Sequence, residues 1–266
     1  KMSSLEFYAG IGRFIIPIYE VLKGDVSAPW LIGVLFIAWM TLTSFLVIEF
    51  LQIKGKTAIV LVSGLLCTNT AFILTGATYI YCLDEYALAL LTAAAAAYFL
   101  CRVPKGKALA IFFLILSLSI YQSYFTVTAA LCFIAAFQRL LENEKTKKII
   151  SDGLGQIGAM LISFIAYFLV WTLICWKLGI VKQRTDEMLL LKNLNGFGEM
   201  LTRIYRDYFK MLLNTDGILG DIYVATNALI LLFILKMAID YLRRKDFSFS
   251  NKLLMVTMLF CTPIAF

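Results

Sequence analysis

Histidine is absent from the 266 residues, which excludes imidazole general bases and histidine-ligated metal sites. Charge is sparse: Asp, Glu, Lys and Arg make up 15% of the chain, against roughly 25% in a soluble domain. The six cysteines, Cys67, Cys82, Cys101, Cys132, Cys175 and Cys261, are scattered through apolar runs without C-x-x-C pairing. They read as small packing residues rather than a zinc site or a disulfide framework. No charged start followed by an apolar leader opens the chain at Lys1–Glu6, and Leu253–Phe266 ends without a polar flank. The sequence is therefore expected to be a piece of a longer polypeptide, cut at both ends.

What fills the chain instead is apolar. Hydrophobic residues account for 61% of it, and the mean hydropathy is +0.86. A soluble fold of this size would still expose about a quarter of its unfolded surface, too much to keep this composition in water. The excess is expected to face lipid. A membrane strand alternates apolar and polar residues, whereas Trp30–Ile53 and Gly158–Trp176 are apolar on every side. Runs near 20 residues suit helices crossing ~30 Å of hydrocarbon. The expected fold class is all-α, a polytopic transmembrane helical bundle, with no internal repeat.

The spacing predicts spans at roughly 30–53, 57–81, 86–101, 108–120, 126–137, 154–176 and 222–242, with an incomplete one at 253–266. Lys54/Lys56, Arg102/Lys105/Lys107, Arg139/Lys145/Lys147/Lys148 and Arg243/Arg244/Lys245/Lys252 fall in alternate connections. The short turns between them carry Asp84-Glu85 and Tyr121-Gln122-Ser123-Tyr124. Bases concentrate on the cytoplasmic side, so this placement, and not nucleic-acid binding, accounts for the net charge of +7. Ala108–Phe137 would be about 45 Å long as one helix, too long for a single crossing. A hairpin turning at Tyr121–Phe125 keeps both basic flanks inside. One membrane domain over 1–266 is expected, divided into an extracytoplasmic segment (1–29), spans (30–176), an extracytoplasmic loop (177–221) and further spans (222–266).

Both outer stretches carry helical periodicity. In residues 6–22, Phe7, Ile11, Phe14, Ile15, Ile18 and Leu22 share one face, which predicts a short amphipathic helix kinked at Pro17. Phe197, Met200, Leu201, Ile204, Tyr205, Tyr208, Phe209, Leu212 and Leu213 follow the i, i+3, i+4, i+7 template. Bases lie opposite, so 197–213 either lies in the membrane interface or packs on the spans from outside.

Polar groups gather at the outer end: Glu6, Arg13, Glu20, Asp25, Asp84, Glu85 and Gln122, among Tyr79, Tyr81, Tyr86, Tyr121 and Tyr124. Belt residues and helix-end charges are one reading. Gln122 resists it, because an amide below the surface needs partners. Gly12-Arg13-Phe14, then a span, the Asp84-Glu85-Tyr86 turn, and SLSIYQSYFTVTAAL (Ser117–Leu131) at the hairpin tip come in an order that resembles the bacterial O-antigen-modifying glucosyltransferase (Gtr-type) family. These are polytopic membrane enzymes of the C-type glycosyltransferase class. The resemblance runs from about Leu5 to Phe137, and more loosely to Lys210.

It implies a glycosyltransferase of the bacterial cytoplasmic membrane with its site facing outside. A sugar, expected to be glucose, would pass from a polyprenyl-phosphate donor to a cell-envelope glycan. The resemblance implies an acidic pair in the first outer loop, ahead of the Gly-Arg, in a stretch that this sequence is expected to begin too late to show; among the residues present Glu6 stands in as the candidate catalytic carboxylate. Such a transfer needs a carboxylate to take the acceptor's proton and a cation on the leaving phosphate. Arg13 is the candidate for phosphate, Tyr121, Gln122 and Tyr124 for lining the sugar site. Asp84 and Glu85 would face the pocket and could hold a divalent cation. The rival reading is a transporter or flippase of lipid-linked sugars. Such proteins show repeats and midplane ionisable groups, whereas the midplane polar residues here are mainly Thr68-Asn69-Thr70. A non-catalytic envelope assembly protein is a third.

Overall fold

The computed structural model describes residues 5–24, 28–68, 70–183, 194–213, 220–244 and 247–265. Asp25, Asn69, Lys245 and parts of the 177–221 loop lie outside them. The chain is all-α, with no strand among the described residues. Its helices are α1 (Leu5–Gly10), α2 (Ile16–Leu22), α3 (Pro29–Leu51), α4 (Lys56–Cys67), α5 (Thr70–Thr78), α6 (Leu83–Cys101), α7 (Lys107–Ile120), α8 (Phe125–Leu141), α9 (Thr146–Leu178), α10 (Leu194–Leu212), α11 (Gly220–Arg243) and α12 (Phe249–Ala265). Single 3₁₀ turns, Ile80–Cys82 and Gln122–Tyr124, precede α6 and α8. Among the described residues six helical stretches are long and apolar enough to cross a membrane, and α7 adds a shorter apolar helix. The protein is polytopic.

The chain divides into two compact units: Lys1–Cys132 with Leu154–Arg184, and Phe133–Gly153 with Thr185–Phe266. In the first, α6 is the central element. Ala93–Ala97 are all buried, and side chains this small let neighbouring backbones approach closely. Ser117 of α7 donates from Oγ to the Ala89 carbonyl at 2.9 Å, and Thr128 of α8 donates to the Ala93 carbonyl at 3.0 Å. At the far end Cys101 meets Cys132, and Arg102 donates to the Phe50 carbonyl of α3. These pairs make α7 antiparallel and α8 parallel to α6. The reversal falls at Tyr121, whose extended backbone (φ −152°, ψ 109°) ends α7.

The periodic segment 6–22 forms two helices rather than one kinked helix. Gly12 takes φ +83°, a conformation L side chains rarely adopt, and the helix breaks there. Pro17 falls in the first turn of α2, where its missing N–H is harmless, so it starts a helix instead of bending one.

In the second unit a core of Leu140, Ile149, Tyr241, Phe247, Met255 and Met258 is closed by polar contacts. Tyr241 donates to the Leu140 carbonyl at 3.0 Å. Asn251 donates to Asn143 Oδ1 at 2.9 Å and accepts from the Thr146 hydroxyl. Part of the apolar side of α10 lines a cavity of about 550 Å³, through Tyr205, Tyr208, Phe209 and Leu212, with residues of α8, α11 and α12, while Met200 and Leu213 of that side stay exposed.

Candidate active site

The site lies in the first unit, at the end where α6 begins and α7 turns into α8. Its floor is the tyrosine group that the sequence suggested. The rings of Tyr86 and Tyr121 lie 4.5 Å apart, and those of Tyr121 and Tyr124 lie 5.4 Å apart. Arg13 reaches them from the turn between α1 and α2. Its guanidinium carbon lies 4.6 Å from the Tyr121 ring centroid, and Nη1 donates to the Tyr86 hydroxyl at 3.3 Å. Stacking a planar cation on aromatic faces is favourable and leaves the edge of the fork free to donate. No carboxylate among the described residues pairs with Arg13.

The turn that carries Arg13 is held from outside itself. Four successive carbonyls each accept a hydrogen bond from elsewhere in the unit. Ala9 accepts from Trp171 Nε1 at 2.6 Å, Gly10 from the backbone N–H of Gln183 at 2.9 Å, Ile11 from Gln122 Nε2 at 2.9 Å, and Gly12 from the Tyr167 hydroxyl at 3.0 Å. Gln122 Nε2 also donates to the Tyr167 oxygen at 2.9 Å. Both amide hydrogens of Gln122 are thereby engaged by protein. Gly12 is required here for space as well as for its φ, since a Cβ would collide with the Tyr167 hydroxyl and lie 2.8 Å from Gln122 Nε2.

A second polar group sits beside the floor. Asp84 and Glu85, in the first turn of α6, are buried. Asp84 Oδ2 accepts from Tyr19 Oη at 2.9 Å and from Lys23 Nζ at 3.1 Å. Lys23 also pairs with Glu20 at 2.6 Å, and Glu20 is an acidic neighbour of Glu85. Trp39 Nε1 donates to the Tyr19 oxygen at 3.2 Å. Asp84 Oδ1 and Glu85 Oε2 are buried without a protein partner. Burial, and then the charge of Asp84, hold the Tyr19 phenol well above its ordinary value. Burial alone would lower Lys23, but its hydrogen bond to Glu20 and the charge of Asp84 outweigh that and raise it.

A cation does therefore meet Asp84, but it is the Lys23 ammonium. No group of three or more His, Cys, Asp or Glu side chains among the described residues is arranged to hold a metal. Glu6 is exposed and lines a different cleft, of about 380 Å³, with Phe7, Val181 and Gln183 among its walls. That lining includes none of Arg13, Asp84, Glu85, Tyr121, Gln122 or Tyr124.

The structure thus brings Arg13, Tyr121, Gln122 and Tyr124 together and sets Asp84 and Glu85 beside them. Sequence reasoning missed Tyr19, Lys23 and Tyr167. Lys23 and Tyr19 flank Glu20 at +3 and −1, which could have marked a polar edge on α2. Tyr167, Trp171 and Cys175 recur at i, i+4, i+8, so α9 carries one stripe of hydrogen-bond donors inside an apolar run.

Neither a curated protein nor a solved structure matches the chain. The family model described as Glucosyl transferase GtrII matches residues 2–266. With nearly every residue covered, the chain belongs to the glucosyl transferase GtrII family.

Proposed function

We propose that this glucosyltransferase takes glucose from a polyprenyl-phosphate donor at the outer face of a bacterial cytoplasmic membrane and passes it to a cell-envelope glycan. One observation carries the reading: Arg13 is a half-buried cation stacked on tyrosine rings, with no carboxylate among the described residues as counter-ion. Such a group is matched by an anionic ligand, and a phosphate accepts its paired donors with the right geometry. Developing charge on the leaving phosphate is stabilised there. Tyr86, Tyr121 and Tyr124 offer ring faces and phenols to a sugar, and Oε1 of Gln122 adds an acceptor. Glu20, with its side chain 22% exposed, is better placed than Glu6 to take the acceptor's proton, because it stands in the acidic group beside the floor.

The outward orientation rests on charge. Lys105 and Lys107 flank the connection at the opposite end of α6 and α7, and bases favour the cytoplasmic side. The donor's tail remains among apolar helices while its headgroup meets Arg13.

The test is kinetic, in the full-length protein. Arg13→Ala should lower turnover of polyprenyl-phosphate glucose more than tenfold, because a charge-assisted contact is worth ~1.5–3 kcal/mol. Arg13→Lys should recover only part, since an ammonium lacks the planar fork. Wild-type rates in both variants would overturn the reading.

A further inference from the structure

The side chains that hold the Arg13 turn differ from the rings that Arg13 stacks on. They come from α9 and from the α7–α8 reversal, and the contact between Tyr167 and Gly12 joins positions 155 apart. We propose that Tyr167 and Gln122 are positioning residues that set where the Arg13 guanidinium points; the consequence for catalysis rests on Arg13 being the phosphate ligand.

The hydrogen-bond pattern allows one arrangement. The Tyr167 hydroxyl has a single proton, and it goes to the Gly12 carbonyl at 3.0 Å. Its oxygen must then accept, and Gln122 Nε2 supplies the donor at 2.9 Å. The second Nε2 hydrogen goes to the Ile11 carbonyl, also at 2.9 Å. An amide turned the other way would set its oxygen against two acceptors, so only the donor end fits. The result is a closed relay from α9 through Gln122 to two carbonyls of the turn, immediately before Arg13.

Rigid support makes the relay directional. Tyr167 is fully buried, stacked on Phe14 at 5.9 Å and on Trp171 at 6.1 Å between ring centroids. Trp171 in turn holds the Ala9 carbonyl. Gly12 has no room for a Cβ between Tyr167 and Gln122, so the turn cannot shift toward either without collision. Arg13 leaves this clamp on a backbone with little freedom, and its guanidinium meets Tyr121, the neighbour of Gln122. One residue pair therefore fixes both the cation and the ring it stacks on. Supporting groups of this kind keep a binding fork within the narrow geometry that a charge-assisted contact needs.

The decisive variant is Tyr167→Phe, which keeps the ring and its stacking and removes only the hydroxyl. Two measurements on the full-length protein in detergent separate the positioning from the phosphate reading. The first is NMR of ¹⁵Nε-labelled arginine, with the Arg13 resonance assigned by its loss in Arg13→Lys. Tyr167→Phe and Gln122→Leu should each move that resonance, because the guanidinium shifts against the Tyr121 ring. An unmoved Arg13 resonance in both variants would overturn the proposal, whatever the activity. The second is a double-mutant cycle on turnover of polyprenyl-phosphate glucose. Tyr167→Phe should lower kcat/KM three- to tenfold in the wild type, mainly through KM for the donor, and have no further effect beside Arg13→Ala. Where Arg13→Ala is itself impaired, an equal fall in both backgrounds would show that Tyr167 acts elsewhere and would also overturn the proposal. A shifted resonance alongside an inert Arg13→Ala would uphold the positioning and reject only the phosphate role.

Discussion

Lys23 Nζ lies 3.1 Å from Asp84 Oδ2, and the two side chains are 2% and 0% exposed. This pair joins α2 to the start of α6. Removing one member of a buried ion pair leaves the other charge unpaired, at a cost of about 3–5 kcal/mol. Lys23→Met should therefore lower the thermal unfolding midpoint sharply, while Lys23→Met combined with Asp84→Leu should regain much of the loss. A double variant no more stable than the single would show that the pair contributes little. Because the Lys23 pKa is raised in the fold, its contribution is complete below the unfolded lysine value of about 10.4. It fades as pH rises through the folded value.

The second prediction concerns acid. Hydrogen bonds from Arg139 and then from Lys148 hold the Glu144 carboxyl down at about 2. A depressed carboxylate stabilises the fold above its unfolded value, about 4.3, and loses that contribution as pH falls through the folded one. The stability difference between wild type and Glu144→Gln should thus be constant above about pH 4.5 and shrink toward zero near pH 2. A difference that persisted unchanged at pH 2 would contradict the pairing.

The third prediction concerns packing. Ala96 is fully buried in a cluster with Phe14, Leu114, Leu118, Met160 and Tyr167. Ala96→Leu has no space to enter and should cost about 1–3 kcal/mol. Ala58→Leu on the exposed surface of α4 should be nearly neutral. Equal behaviour of the two in detergent unfolding would argue against α6 as the central helix.

Orientation can be tested by labelling in a background without the native cysteines. Ser123, exposed at the α7–α8 turn, and Pro104, exposed in the α6–α7 connection, lie at opposite ends of α7. Ser123→Cys should react with an impermeant thiol reagent from outside, and Pro104→Cys only after permeabilisation. Gly106 would be a poor probe, since a Cβ there collides with the Phe99 carbonyl. Labelling with the sides reversed would move the site to the cytoplasmic face.

Much of the helical layout was legible because lipid imposes a coarse rule: long apolar runs form helices. Trp30–Ile53 became α3 almost residue for residue. The same rule hides what happens inside a run. Over residues 158–176 of α9 every face is apolar, so the Tyr167, Trp171 and Cys175 stripe has no contrast against its surroundings. Its meaning depends on carbonyls more than 150 positions earlier. The break at Gly12 was obscured for a related reason. Phe14 and Ile15 continue the apolar period of α1, yet they pack inward from a turn. Arg13 and Tyr121 could be paired in advance because both stood out chemically at one end of the chain's spans. Lys23 could not, because a base near an acidic residue usually means a solvated surface pair.

The alanine run of α6 has one more consequence. A surface of methyl groups is smooth: it has no bulky side chains to catch a neighbour, so packing alone would let α7 or α8 glide along it. Two hydroxyls act as detents on that track, Ser117 against Ala89 and Thr128 against Ala93. A slip of one helical turn, about 5.4 Å, would unlatch the Ser117 detent and carry Tyr121 away from Tyr86. The alignment of the tyrosine floor therefore hangs on hydroxyl catches set in a low-friction track, one to two helical turns from the floor itself.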